Sequence, residues 1–187
     1  MEIYIIRHTE VELGKSVCYG QSNPPLADTF LEDVALLKAK LPTDFDGVYS
    51  SPLLRCKLLA AELCSRHVQF DDALMELNFG TWEGKSWNEI PFSELNPWMI
   101  DFVNVAPPEG ESLVNMHARI SSFIESLRIK PHQKVLIITH AGVIRNIFSH
   151  ILNIPLNNIF KLSIAYGEVF RIRLEKDNSM DKIHFRS

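Results

Sequence analysis

Two short apolar runs constrain this chain most. Ile3-Tyr4-Ile5-Ile6 and Lys134-Val135-Leu136-Ile137-Ile138-Thr139 are apolar at consecutive positions and rich in β-branched residues, and each gives way to a histidine, Arg7-His8 in one case and His140 in the other. A strand apolar on both faces must be covered on both faces, which is the condition of a parallel sheet sandwiched by helices. Gly47-Val48-Tyr49-Ser50 and Val68-Gln69-Phe70 read as shorter strands, and the alternation in Glu168–Leu174 reads as a strand nearer a sheet edge.

Helical patterns lie between these runs. Asp28 is expected to cap a helix carrying Leu31, Val34, Leu37 and Leu41, and Pro52 to occupy the first turn of one carrying Leu54, Leu58, Ala61 and Leu63. Ser112 is expected to cap a helix with Leu113, Met116, Ile120, Phe123 and Leu127, and Gly142 to open one with Val143, Ile144, Ile147, Phe148 and Ile151. Alternating strands and helices predict an α/β fold, a three-layer α/β/α sandwich on a mostly parallel central sheet. Residues 80–110 hold three tryptophans, Phe92, Phe102 and four prolines with weak periodicity, and read as an irregular, lid-like insertion in a single domain spanning 1–187.

Composition sets the class. A length of 187 residues with 46% hydrophobic and 22% charged residues is that of an ordinary globular domain. A formal net charge of -4 without a basic block argues against nucleic acid and membrane surfaces as partners. The N-terminus lacks the pattern of a signal peptide, no apolar stretch approaches a membrane span, and Cys18, Cys56 and Cys64 form neither a disulfide framework nor a metal pair. Cys56 and Cys64 read as core residues. A cytoplasmic protein is expected.

Ligands of parallel sheets bind at the carboxyl ends of the strands, where Arg7, His8 and His140 fall. Arg55 in a first helical turn faces an unfavourable dipole unless an anion lies between them. Glu76 adds a carboxylic acid. Nucleophile, fixed cations and proton donor are the parts that phosphoryl transfer requires.

The order of these segments resembles the histidine phosphatase superfamily, also called phosphoglycerate-mutase-like. Ile5-Ile6-Arg7-His8-Thr9-Glu10 is similar to its RHG-type signature, with Thr9 where glycine is commoner. Ser50–Arg55, Met75–Gly84, Pro108–Ser112 and Thr139–Arg145 are similar to its other segments, and Leu26–Phe30 lacks a glycine often found there. The resemblance implies catalytic roles for His8 as nucleophile, Glu76 as acid and base, and His140, with Arg7, Arg55 and His140 binding the phosphoryl oxygens. It implies no metal and no cofactor.

Within the superfamily, the short chain and the loop Cys18-Tyr19-Gly20-Gln21-Ser22 are similar to α-ribazole-5′-phosphate phosphatases of cobalamin nucleotide-loop assembly. That likeness implies a small phosphomonoester substrate touched by Tyr19, Gln21, Ser22, Trp82 and Trp98, with the tryptophans or Phe102 stacking on its base. The expected partners are this substrate and, in a homodimer, a second copy of the chain. The alternatives are a broad-specificity sugar-phosphate phosphatase, a phosphoglycerate mutase, a zinc site on His8, Glu76 and His140, and a non-catalytic phosphate-binding module. The zinc reading leaves both arginines unexplained.

Overall fold

The computed structural model describes residues 1–14 and 16–184. Its strands are β1 (Glu2–Arg7), β2 (Gly47–Ser50), β3 (Gln69–Phe70), β4 (Lys134–Thr139), β5 (Val169–Arg173) and β6 (Lys182–His184). They form one sheet in the order β3-β2-β4-β1-β5-β6. The first four run parallel, and β5 pairs antiparallel with both β1 and β6. The sheet is therefore mostly parallel, with an antiparallel flank supplied by the strand that alternates in sequence.

Successive side chains of a strand point to opposite faces, so the continuous apolar runs feed two cores. Ile3, Ile5, Val135 and Ile137 pack on one face against helices α4 (Leu113–Arg128) and α5 (Ala141–Leu152). Ile6, Leu136, Ile138 and Val48 pack on the other against α1 (Phe30–Lys40) and α2 (Leu54–Leu63). This is the expected α/β/α sandwich. Among the described residues, no helix is long and apolar enough to cross a membrane.

The expected α4 face, Leu113, Met116, Ile120, Phe123 and Leu127, is buried, and the Ser112 side chain accepts from Asn115 N at 3.3 Å as a cap. Two helix readings need correction. Thr29, not Asp28, occupies the cap position of α1, and Leu31 is exposed. In α2 the buried face is Arg55, Cys56, Leu59 and Ala60, whereas Leu54 and Leu58 are exposed. The helix is rotated from the apolar pattern because its polar residue, Arg55, points inward. Cys56 is buried and Cys64 is half-buried.

Residues 80–110 are more regular than expected. They contain a helix, α3 (Phe92–Ile100), after two single turns at Gly80–Trp82 and Trp87–Glu89. Leu95 and Trp98 pack on a small core of Cys18, Trp82 and Ile90, while Phe92, Met99 and Ile100 are exposed. Apolar residues on both faces of α3 hide its helical period.

Candidate active site

Three neighbouring parallel strands end level with one another. Arg7 of β1 lies opposite Thr139 of β4, and Ser50 of β2 lies opposite Ile138. The ladder continues one residue further, with His8 N donating to Thr139 O at 2.9 Å and Ser51 N to Ile138 O at 3.0 Å. His8, His140 and Ser51 therefore project side by side at the carboxyl edge of the sheet. They are 2%, 0% and 0% exposed, so all three side chains are fixed in the protein interior.

The hydrogen bonds fix the imidazole tautomers. His8 Nδ1 lies 2.7 Å from Thr9 O; a carbonyl only accepts, so Nδ1 carries the proton and Nε2 keeps its lone pair. That lone pair faces Arg55 Nε at 3.2 Å. His140 Nδ1 also accepts from Arg55 Nε, at 3.2 Å, so its Nε2–H donates to Ser51 Oγ at 2.8 Å. Burial, and then the Arg55 charge, push both imidazole pKa values well below the ordinary histidine range, so both rings are neutral near pH 7.

Arg55 is only 1% exposed. Its terminal nitrogens donate to Ser22 O at 2.8 Å and Gly20 O at 2.6 Å. Arg7 donates to Ile164 O at 2.6 Å, and its buried Nε has no hydrogen-bond partner among the described residues. Neither arginine forms an ion pair with a described carboxylate. Two guanidinium groups beside two neutral imidazoles make a strongly cationic spot in an acidic chain. A cation between the imidazoles would meet the Arg55 charge, so the residues do not fit the zinc alternative.

Glu76 reaches this spot from the loop after β3. Its carboxylate accepts from Leu77 N and from Gly142 N, both at 3.0 Å, the latter at the start of α5. Gly142 is required there because a Cβ on it would fall 2.1 Å from Glu76 Oε1. A ring of polar contacts supports the Glu76 loop. Arg119 donates to Ala73 O, Glu76 O and Glu111, and Gln21 Nε2 donates to Glu76 O at 3.0 Å. Glu83 accepts from Gln21 N, Ser22 N and Phe79 N. Burial opposes ionisation of Glu83, but these bonds hold its carboxyl below the usual range.

Arg7, His8 and Glu76 open into one cavity of about 200 Å³, walled by Leu77, Phe79, Leu113, Met116, Ile159 and Phe160, with Tyr19 and Arg145 also on its lining. Of the residues read from the sequence as substrate contacts, only Tyr19 lies there. Gln21 and Ser22 instead brace the loops that carry Glu76 and Arg55. Trp82 is wholly buried, its indole N–H donating to Glu94 at 2.9 Å, and offers no face to a ligand. Trp98 stacks on Trp87 with centroids 5.9 Å apart and stays outside the cavity. The aromatics of this region pack on one another, as large apolar rings in a small satellite core do. Ser51, Arg145 and Tyr166, missed in the sequence, lie in or against the site. Ser51 sits inside a recognised segment, so its position was available, but Tyr166 lies in a stretch with no pattern.

Replacing Gly142 with alanine is expected to leave a folded protein, because the atom in the way is the end of a side chain. On the acid role that the family resemblance implies for Glu76, displacing its carboxylate should cost about 10²–10⁴-fold in hydrolysis of an alkyl phosphate. The check is kcat on glycerol phosphate together with a thermal melt. A wild-type rate would show that the carboxylate position is immaterial.

The comparisons with known proteins agree with this architecture. The family model described as histidine phosphatase superfamily (branch 1) matches residues 3–182. Phosphoserine phosphatase 1 of Hydrogenobacter thermophilus is 26% identical over 186 residues, covering 94% of this chain and 88% of that protein. Adenosylcobalamin/alpha-ribazole phosphatase of Salmonella typhimurium is 26% identical over 176 residues, covering 89% and 87%. The crystal structure of the alpha-ribazole phosphatase from Shigella flexneri has a TM-score of 0.89 at 23% identity, covering 98% of this chain and 95% of that one, a likeness of fold. With the family model spanning nearly its whole length, the chain belongs to the histidine phosphatase superfamily, branch 1.

Proposed function

We propose that this phosphatase hydrolyses phosphomonoesters without a metal, through a phosphohistidine formed on His8. One observation carries the reading: two guanidinium groups without carboxylate partners among the described residues converge on a neutral, buried imidazole. Burying a cation without a counter-charge is costly, and a phosphoryl dianion supplies what is missing.

The proposed steps follow from the hydrogen bonds. His8 Nδ1–H stays on Thr9 O, so the Nε2 lone pair attacks phosphorus. As the N–P bond forms, the ester P–O bond breaks and Glu76 protonates the departing oxygen. A water molecule then attacks phosphorus, the N–P bond breaks, and the water's proton passes to Glu76. Arg55 swings its Nε–H from the two imidazoles to the phosphoryl oxygens, beside Arg7 and beside His140, whose proton moves to Nδ1 as the Ser51 hydroxyl turns to donate to Nε2. Preorganised donors of this kind stabilise the charge of the transition state.

The leaving group would lie against the apolar wall of the cavity. We infer α-ribazole 5′-phosphate as substrate from the short chain and its Cys18–Ser22 loop, with the rings of Phe79 and Phe160, rather than Trp82 or Trp98, available to its flat base. Arg145 favours a second reading. Its Nε donates to Leu162 O at 2.9 Å, and as the one further cation on the described lining it suits a leaving group bearing a carboxylate, such as phosphoserine.

Two measurements test the function. Glu76→Gln should slow single-turnover phosphorylation by an alkyl phosphate by about 10²–10⁴-fold but barely affect p-nitrophenyl phosphate, whose leaving group needs no proton. Equal losses on both would remove Glu76 as the acid. In a panel at equal pH, kcat/KM for α-ribazole phosphate should exceed that for ribose 5-phosphate by roughly tenfold through ring contacts. Equal values would remove base recognition, and a still higher value for phosphoserine, lost in Arg145→Gln, would establish the carboxylate reading.

A further inference from the structure

Arg7 is held by surprisingly little. Its NH1 donates to Ile164 O at 2.6 Å, and its buried Nε has no partner among the described residues. What covers the guanidinium is an aromatic face: its central carbon lies 3.6 Å from the ring centroid of Tyr166. The same ring stands 5.5 Å from the His8 imidazole. Its hydroxyl lies 2.7 Å from that of Tyr19, whose own ring is 5.4 Å from the Arg55 guanidinium. The segment carrying Tyr166 is fastened to the nucleophile strand by Gly167 N to His8 O at 3.3 Å and Arg7 N to Glu168 O at 3.1 Å.

These contacts form a clasp. Each arginine lies over a tyrosine face, and the two hydroxyls join the tyrosines to one another. We propose that Tyr166 is a positioning residue for Arg7, and that its ring, more than its hydroxyl, holds that guanidinium in the orientation that binds the phosphoryl group. The inference rests on the reading of Arg7 as a phosphate ligand given above. A guanidinium with one hydrogen bond and an orphaned Nε has rotational freedom. A flat π surface removes that freedom without consuming the N–H groups that must face the anion, which a carboxylate would consume. The ring also leaves the positive charge uncancelled. Tyr19 and the hydroxyl bridge link this support to the Arg55 side as a contact secondary to the ring faces.

The test separates ring from hydroxyl and positioning from folding. Tyr166→Phe should bind inorganic phosphate and vanadate within about twofold of wild type, because the face is kept, and Tyr19→Phe should do the same. Tyr166→Leu should weaken phosphate inhibition by roughly tenfold and lower kcat/KM at least as much, consistent with losing a desolvated cation–π contact. Leucine removes packing as well as the π face, so phenylalanines of increasing fluorination at position 166 provide a shape-preserving series. Phosphate Ki should climb with each fluorine as the face loses its negative potential, while the melting temperature stays level. A flat series in a protein that binds phosphate normally would overturn the role of Tyr166 and leave the phosphatase reading standing. A Tyr166→Phe variant as impaired as Tyr166→Leu would overturn it in favour of the hydroxyl. A wild-type protein that binds no phosphate or vanadate would overturn both the inference and the pocket reading beneath it.

Discussion

The buried guanidinium of Arg55 is the interaction on which the site depends. An arginine taken out of water without a carboxylate must have its N–H groups satisfied by neutral acceptors. Here the acceptors come from separate parts of the chain: the carbonyls of Gly20 and Ser22, and the ring nitrogens of His8 and His140. Meeting that demand ties the loop after β1 to α2 and seats Arg55 across the paired ends of β1 and β4. It rotates α2 so that Arg55 and Cys56, not Leu54 and Leu58, face inward. The same charge helps to hold both histidines neutral, the state that the proposed nucleophile His8 needs. Arg55 thus links geometry, helix orientation and, together with burial, protonation.

The second half of the site is built by backbone groups. Glu76 is positioned by amides of Leu77 and Gly142, and its loop is tied down by Arg119, Glu111 and Gln21. This gives the Met75–Gly84 segment a physical reading. Glu76 faces the cavity, Phe79 walls it, Trp82 anchors the satellite core, and Glu83 gathers the amides of the Tyr19 loop. Gly20 is needed more strictly than Gly142: a Cβ there would fall 1.8 Å from the backbone oxygen Leu77 O, where the two loops cross, rather than from the end of a side chain. Glu111 and Glu83 are thereby committed to structural bonds, and the cavity lining contains neither.

Much of this was legible in the sequence where local pattern and burial agree. The continuous apolar runs of β1 and β4 required helices on both faces, and the periodicity of α4 and α5 supplied one of those layers. The family segments located Arg7, His8, Arg55, Glu76 and His140, and the fold gathers these five at the carboxyl edge of the sheet. Pattern failed where a charged residue is buried. In α2 the inward Arg55 defeats a rule that seats leucines inside. It failed again for Trp82 and Trp98, since composition cannot tell a ring that packs on its neighbours from one that faces a ligand. Tyr166 was invisible because its contacts with Arg7, His8 and Tyr19 join positions far apart in the chain.

The central claim is that His8 carries the phosphoryl group. The direct measurement is a rapid quench of the enzyme with a ³²P-labelled phosphomonoester, followed by mapping of the labelled peptide. The account predicts one acid-labile, base-stable phosphoryl group on His8 Nε2, formed at a rate no slower than turnover and absent from His8→Ala. Label on a serine, or turnover of p-nitrophenyl phosphate without any phosphoenzyme when the second step is slowed by Glu76→Gln, would contradict it.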